Sequence, residues 1–329
     1  GGEEFVVFLP QGTPAGGVRF AESVRRHGDR TAVIGEHGEQ LSYRELDVRR
    51  IEAARALIAL GVQPGDRVAV WGQNCVEWIL AGLAIHSIGA VLVPVNTRMR
   101  GAEAGYVLER SGARVLFCAG DFLGHHYPTL LGEHRPSTLA CIVVLRDARS
   151  GDVSWADFIA GGSRVESAEV TRRSAAVKPD DRMDILFTSG TTGRPKGVVT
   201  VHSQNLRVNA DWSRAVGLNP DDRYLVANPF FHAFGYKVGW LAGLLAGLTV
   251  LPHAVFDAGA ILRRIAADRI SVLPGPPTLL ISLLDDPARA QTDLSTLRAT
   301  ITGAAAIAPA LIERVRAELG FKVVLTGYG

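Results

Sequence analysis

Short apolar segments alternate with helical segments along most of this sequence, and this alternation restricts the fold more than any other feature. Residues 68–71, 90–95 and 114–118 are apolar runs typical of buried strands, and the helical patterns 77–88 and 102–111 separate them. The same alternation returns in the second half of the chain. Strands that alternate with helices at this spacing pair in parallel, because each connection must cross the sheet. The sequence therefore predicts an α/β fold with mostly parallel sheets flanked by helices.

The sequence predicts where one helix of the first half begins. Ser42 is a suitable N-cap residue, and Glu45 follows three positions later, which is the pattern of a capping box. The helical pattern then runs to Leu60, where Gly61 ends it. His86 lies in the next apolar helical pattern, where a histidine is more often packed in the core than catalytic.

A polar segment divides the chain into two predicted units. Residues 147–181 are rich in Gly, Ser and Arg, as expected for a connection between subdomains. We therefore predict a first α/β subdomain over residues 1–175. The second would cover residues 176–329 and contain the glycine-rich loop described below.

Composition limits the classes of partner. The net charge is +2 and residues of both signs are interspersed, so no basic stripe suggests nucleic acid. With 329 residues and 47% hydrophobic content, the chain can form a substantial core. Its most apolar run, 238–251, is shorter than the ~20 residues that a membrane-spanning helix needs. Small molecules are the expected partners, and no membrane span is predicted.

The cysteines give no sign of a metal site or of a disulfide framework. Cys75, Cys118 and Cys141 are far apart and show no CxxC spacing. We therefore assign no metal-binding residue, and a reducing cytoplasm is the expected compartment.

A loop rich in Gly, Thr and Pro separates the strand-like runs 185–187 and 198–201. Its glycines allow backbone N–H groups to approach an oxyanion, its hydroxyls donate hydrogen bonds, and Lys196 adds a positive charge. The P-loop pattern of NTPases does not fit, because Lys196 follows a proline and Gly197 stands where that pattern needs Ser or Thr. On residue types alone, a phosphate-binding loop and a polar surface hairpin both remain open.

The segment from Phe187 to Gly197 resembles the signature loop of the adenylate-forming superfamily, which includes acyl-CoA synthetases, peptide-synthetase adenylation domains and luciferases. In that family the loop binds the pyrophosphate end of ATP. The resemblance implies that Thr188 and Lys196 are catalytic. It also implies a set of ATP-binding residues in the loop, namely Thr188, Ser189, Gly190, Thr191, Thr192, Gly193 and Lys196.

Residues 228–236, with the sequence NPFFHAFGY, resemble the P-x-F-H-x-x-G segment of the same family. The family's histidine lies beside the substrate carboxylate and the α-phosphate, so His232 is expected to be catalytic and to contact substrate. Phe234, Gly235 and Trp240 are expected to shape the acid pocket. The aromatic residues could instead belong to the core.

Two further segments carry the resemblance. Gly303, Ala304 and Ala305 resemble the small residues that line adenine and the acyl group, although a tight turn after a strand needs the same residue types. Thr326, Gly327, Tyr328 and Gly329 resemble the start of the family's YGxTE motif, whose Tyr stacks on adenine. The Glu of that motif, which is associated with magnesium in the family, would follow residue 329.

The resemblance implies ATP-dependent activation of a carboxylic acid through an acyl-adenylate, with ATP, Mg²⁺ and CoA as cofactors. Residues 228–237 and 273–284 resemble actinobacterial acyl-CoA synthetases, including those for indanedione propanoate, and favour a bulky cyclic, aromatic or fatty acid. Three alternatives stay open, namely loading of a carrier protein, adenylation of nitrite, and nucleotide binding without turnover. A homodimer is also considered. The 1–329 chain alone is expected to lack the complete ligase reaction.

Overall fold

The computed structural model describes residues 16–188, 194–303 and 307–327. The helices are α1 (Gly16–His27), α2 (Tyr43–Ala59), α3 (Val76–Ser87), α4 (Gly101–Ser111), α5 (Tyr127–Leu131), α6 (Trp155–Gly161), α7 (Ser167–Ala176), α8 (His202–Val216), α9 (Ala233–Gly235), α10 (Ala242–Ala246), α11 (Ala258–Ala267), α12 (Pro277–Asp285) and α13 (Pro309–Leu319). A π-helical turn, Tyr236–Leu241, joins α9 to α10, and short 3-10 helices cover Gly132–His134 and Pro287–Gln291. Within these ranges, none of the helices combines the length and apolar character needed to cross a bilayer.

The strands are β1 (Thr31–Ile34), β2 (Gln40–Ser42), β3 (Arg67–Trp71), β4 (Val91–Pro94), β5 (Ala113–Cys118), β6 (Asp121–Phe122), β7 (His125–His126), β8 (Cys141–Val144), β9 (Arg182–Thr188), β10 (Lys196–Val201), β11 (Arg223–Val226), β12 (Thr249–Pro252), β13 (Ala299–Gly303) and β14 (Val323–Gly327). One sheet has the order β10-β9-β4-β3-β5-β8 and is parallel except for β10, which runs antiparallel to β9 at the edge. This arrangement confirms the predicted parallel sheet flanked by helices.

A second sheet has the order β11-β12-β1-β2, in which only β2 is antiparallel. The parallel pair β13–β14 is attached to it through Val272, which bridges Tyr224 on one side and Ala299 on the other. Residues 270–273 thus contribute only a bridge to this sheet. The carboxyl ends of β11, β13 and β14 consequently share one edge.

The sheets do not follow the predicted division at residue 175. The strands β1 and β2 come early in the chain but belong to the sheet of β12, which β1 joins directly. In the other sheet β9 lies beside β4 through the pair Leu92 and Asp184. The polar composition of residues 147–181 indicates a surface connection, and it carries no information about which strands pair afterwards. Even this connection is anchored, because Phe158 of α6 and Val170 of α7 are buried.

Aromatic side chains fill the core between the sheets. Trp78 of α3 makes edge-on contacts with Phe230 and Trp240, and Trp240 stacks on Tyr236. All four side chains are fully buried. His86 is buried as well, as predicted, with its Nε2 atom 2.8 Å from the Tyr236 hydroxyl.

The N-terminus of α2 has the predicted capping box. The Ser42 hydroxyl accepts a hydrogen bond from the Glu45 N–H at 3.2 Å, and the Glu45 carboxylate accepts one from the Ser42 N–H at 2.8 Å. These two bonds satisfy donors that the first helical turn leaves without partners. The structured helix ends with Ala59 and has Leu60 as its C-cap.

Candidate active site

A cleft of about 1220 Å³ opens where β4 and β9 end. These neighbouring strands are parallel, so their carboxyl ends meet at the sheet edge where α/β proteins bind ligands. Four parts of the chain form much of the wall. They are β4 with the segment after it, α4, β9, and the segment that leads into α9. The lining residues include Pro94, Asn96, Arg98, Glu103, Tyr106, Phe187, Thr188, Arg194, Pro195, Phe231, His232 and Ala233.

The two strands around the predicted phosphate loop form a hairpin. Thr188, the last residue of β9, pairs with Lys196, the first residue of β10. The two ends of the loop are therefore held side by side at the mouth of the cleft. Thr188 lines the cleft and the Lys196 side chain is exposed next to it. The loop residues predicted between them lie outside the described residues: Ser189, Gly190, Thr191, Thr192 and Gly193.

The last part of the loop is fixed against α4. The Tyr106 hydroxyl donates a hydrogen bond to the Pro195 carbonyl at 3.4 Å, and the Arg194 guanidinium lies 5.5 Å from the centre of the Tyr106 ring. A cation over a tyrosine face is attracted by the ring quadrupole. The sequence analysis missed Tyr106, because a tyrosine in a helical pattern gives no local sign of a contact made 89 positions away.

Asn74 positions the segment that follows β11. Its side-chain amide donates hydrogen bonds to the carbonyls of Val226 and Asn228 at 3.0 and 2.9 Å, and its oxygen accepts one from the Phe230 N–H at 2.8 Å. Asn74 is itself buried just after β3. This amide therefore ties the chain immediately before His232 to the central strand of the six-stranded sheet.

His232 presents a neutral ring to the cleft. Its Nδ1 atom accepts a hydrogen bond from the Phe234 N–H at 3.1 Å, which leaves the proton of the neutral ring on Nε2. Partial burial lowers the pKa of His232, so the ring is uncharged near neutral pH. His232 and Thr188 line the same cleft, as expected if both contact the reacting groups.

The three other residues predicted in this segment, Phe234, Gly235 and Trp240, are not among the residues that line the described cleft. A Cβ atom on Gly235 would lie 2.3 Å from the carbonyl oxygens of Asn228 and Pro229, so the tight path of the chain requires glycine. Phe234 makes an edge-on contact with Trp212, with the two ring centroids 5.7 Å apart. Trp240 is fully buried in the aromatic core and is not among the residues lining the cleft. Its large apolar surface is covered by α3, which composition alone could not reveal.

The predicted adenine-binding segments lie at the ends of β13 and β14. Gly303 pairs with Gly327, and a Cβ atom on Gly303 would lie 2.1 Å from the Gly327 carbonyl oxygen. Close strand approach therefore explains Gly303, and neither glycine nor the exposed Thr326 lines the cleft. All three share the sheet edge from which the His232 segment departs. The other predicted members, Ala304, Ala305, Tyr328 and Gly329, lie outside the described residues.

Charged residues of both signs line the cleft, with Arg98, Arg135 and Arg194 balanced by Glu103, Glu109 and Glu133. Among residues 16–188, 194–303 and 307–327, no group of three His, Cys, Asp or Glu side chains is arranged to hold a metal ion. The described wall therefore presents both cationic and anionic side chains to a ligand.

Comparisons with known proteins agree on one family. The model of the family described as AMP-binding enzyme matches residues 20–329. A protein of Mycobacterium tuberculosis is 49% identical over 306 residues, covering 93% of this chain and 60% of the relative. A Rhodococcus jostii protein is 44% identical, covering 97% of this chain and 62% of the relative. Both relatives are named 3-[(3aS,4S,7aS)-7a-methyl-1,5-dioxo-octahydro-1H-inden-4-yl]propanoyl:CoA ligase.

Solved structures show the same fold. The crystal structure of the N-terminal domain of FACL13 from Mycobacterium tuberculosis matches with a TM-score of 0.82 at 24% identity. The match covers 96% of this chain and 76% of that domain. The chain spans about 60% of the length of the two ligases above.

Proposed function

Because the chain belongs to the family of AMP-binding enzymes, we propose that it forms the ATP- and acid-binding part of an acyl-CoA ligase. In the proposed reaction a carboxylate oxygen of the acid attacks the α-phosphorus of ATP. The bond between that phosphorus and the bridging oxygen breaks, and pyrophosphate leaves. The product is an acyl-adenylate, a mixed anhydride that a thiol can attack.

The observation that carries this proposal is that Thr188 and His232 line one cleft, while Lys196 pairs with Thr188 across the hairpin at its rim. Lys196 and the Thr188 hydroxyl can stabilise the negative charge that builds on the departing pyrophosphate, an electrostatic contribution. The neutral His232 can donate its Nε2 proton in a hydrogen bond to the carboxylate or the α-phosphate. No proton needs to leave the protein in this step, because the acid reacts as its carboxylate.

We propose a bulky cyclic acid as the substrate, since the two relatives described above are named for a bicyclic diketo propanoate. CoA is the proposed acceptor, in line with those names. Mg²⁺ would enter with ATP, but the described residues include no carboxylate cluster that fits it, so we assign it no ligand and no step.

A cytoplasmic location and a homodimer also remain proposals. The three cysteines, Cys75, Cys118 and Cys141, are free thiols in the structure, which suits a reducing compartment. Sedimentation of the purified protein at several concentrations would determine whether it forms dimers.

The test is ATP–pyrophosphate exchange by the full-length gene product with a panel of bicyclic keto acids, fatty acids, aryl acids and nitrite. We expect exchange with one class of acid and a loss of roughly 10²- to 10³-fold in Lys196→Ala, because a charge at the leaving group is removed. Lys322→Ala is the matched control, since this exposed lysine lies at the opposite end of β14 from the cleft edge. ATP binding without exchange on any acid would favour a nucleotide-binding module instead.

A further inference from the structure

A buried ionic cluster lies beneath the candidate site. The Asp184 side chain is fully buried on β9, and the Lys237 ammonium approaches its Oδ1 atom at 3.1 Å. The Thr200 hydroxyl donates to the same Oδ1 atom at 2.7 Å and accepts from Lys237 at 3.0 Å. We call these three residues the hairpin clasp.

The members of the hairpin clasp come from three segments of the site. Asp184 and Thr200 pair directly across β9 and β10, four residues inside Thr188 and Lys196, respectively. Lys237 lies in the π-helical turn, five residues after His232. One ammonium group therefore joins both strands of the phosphate-loop hairpin to the segment that carries the histidine.

Further hydrogen bonds orient the clasp. The Asn205 amide donates to Thr200 at 2.9 Å and to the second carboxylate oxygen of Asp184 at 3.3 Å. Burial raises the pKa of Asp184, and the nearby Lys237 opposes that increase. The Lys237 side chain retains only 13% exposure and the Asp184 side chain none, so both charges depend mainly on these protein partners in place of water.

A cluster of this kind is an inefficient way to stabilise a fold. Burial removes the hydration of both charges, which costs free energy. Replacing a buried ion pair with apolar residues of similar size often leaves the stability of a protein unchanged or increases it. A buried pair does, however, favour one relative position of the segments that carry it. Few other groups inside the protein can pair with either charge, and a buried charge without a partner is costly. This pair connects two segments that must meet around one substrate. By restricting their relative position, it can keep the site in the arrangement that the reaction needs.

We propose that Asp184, Thr200 and Lys237 are positioning residues that hold His232 at a fixed distance from the phosphate-loop hairpin during adenylation. The clasp residues do not line the cleft, so they act through Thr188, Lys196 and His232. This inference rests on the proposed function for its catalytic consequence. The mechanical part, that the clasp couples the two segments, is independent of the reaction.

The test variant is the double substitution Lys237→Met with Asp184→Asn. It removes both charges together, so no unpaired charge stays buried and the protein is expected to fold. The matched control is Arg298→Met with Asp222→Asn, which removes a pair whose carboxylate is 3% exposed. Arg298 directly precedes β13, at the end of the strand away from the candidate site.

Hydrogen–deuterium exchange tests the mechanical part without any substrate. We expect faster amide exchange in both β9–β10 and the 233–241 segment of the clasp variant, and unchanged exchange there in the control variant. Exchange at the wild-type rate in either segment would overturn the inference.

Exchange of pyrophosphate then tests the catalytic part. With the acid that supports wild-type exchange, the clasp variant is expected to lose at least tenfold in kcat, while the Kd for ATP without acid changes less than twofold. A wild-type kcat, or an equal loss of ATP affinity, would assign the clasp a purely structural role and overturn the proposal. If the wild-type protein activates no acid, the proposed function fails, and hydrogen exchange still decides whether the clasp couples the segments.

Discussion

Two buried histidines, His86 and His202, lie with their ring centroids 5.8 Å apart. Neither ring nitrogen of His202 has a hydrogen-bond partner among the described residues, and burial lowers the pKa of His202 to about 4. Asp181 opposes this shift only in part. The pKa of His86 is also lowered, by burial first and then by the positive charges that His202 and Lys237 can carry. The folded protein thus holds both rings neutral.

This arrangement predicts a loss of stability in mild acid. The unfolded chain binds a proton at His202 near the ordinary pKa of 6.5, whereas the folded chain does so only near 4. The unfolded state therefore gains protons first as the pH falls, and the free energy of unfolding should drop by about 2 kcal/mol between about pH 7 and about pH 5 through His202 alone. Urea unfolding at the two pH values measures this drop.

The variant His202→Asn should lose less stability than the wild-type protein over the same pH interval. His37→Asn, at an exposed histidine, is the control and should keep the wild-type pH dependence. Equal pH dependence in the His202 variant and the wild-type protein would contradict the assignment of this acid sensitivity to His202.

At the scale of elements, the segment from the end of β11 through α9 is held from several sides. Asn74 fixes its start, and the missing side chain of Gly235 allows its end to pack against the carbonyls of Asn228 and Pro229. His232 lies between these two restraints. The position of the ring is consequently set by backbone contacts as well as by its own side chain.

Gly235→Ala should therefore impair the site without altering any group that contacts substrate. The new methyl group would have to displace two backbone carbonyls, which lie 2.3 Å from its position. We expect kcat/KM for the acid to fall at least tenfold. Overpacking should lower the free energy of unfolding by roughly 1–3 kcal/mol, which a decrease in the urea midpoint would reveal. Gly161→Ala is the control, because a methyl group there meets nothing within 4 Å.

Local sequence patterns predicted much at this scale, because the groups involved are near one another in the chain. The capping box of Ser42 and Glu45 spans three residues, and the hairpin around the loop closes between Thr188 and Lys196. Patterns of this length could not identify Asn74, whose bond to Val226 spans 152 positions. They also could not show whether Trp240 is buried in the core or lines a pocket, because an aromatic residue in an apolar helical pattern is compatible with both positions.

At the scale of the whole molecule, the two large sheets exchange strands across residue 175. β1 pairs with β12, and β4 pairs with β9, so each sheet needs segments from both halves of the chain. The largest hydrophobic cluster likewise joins Trp78 to Trp240. Cooperative folding of the two halves together follows from this topology.

The fragment 16–175 should therefore not fold alone. It would lack β9 and β12, so β4 and β1 would each lose the neighbour on one side, β1 would keep only the short β2, and the aromatic core would be half formed. We expect a poorly dispersed amide spectrum and no cooperative urea transition, whereas 16–329 should unfold cooperatively. A well-dispersed spectrum from 16–175 would mean that the first half is an autonomous domain after all.

The edge strand β10 has a practical consequence for anyone handling the 329-residue polypeptide. Val198 and Val199 are about half exposed, on opposite faces of the last strand of the six-stranded sheet. An open strand edge with apolar side chains is a template on which further chains can add strands. Concentrated samples of this polypeptide should therefore be monitored for fibrous or amorphous precipitation, with β10 as the first segment to protect by a charged substitution.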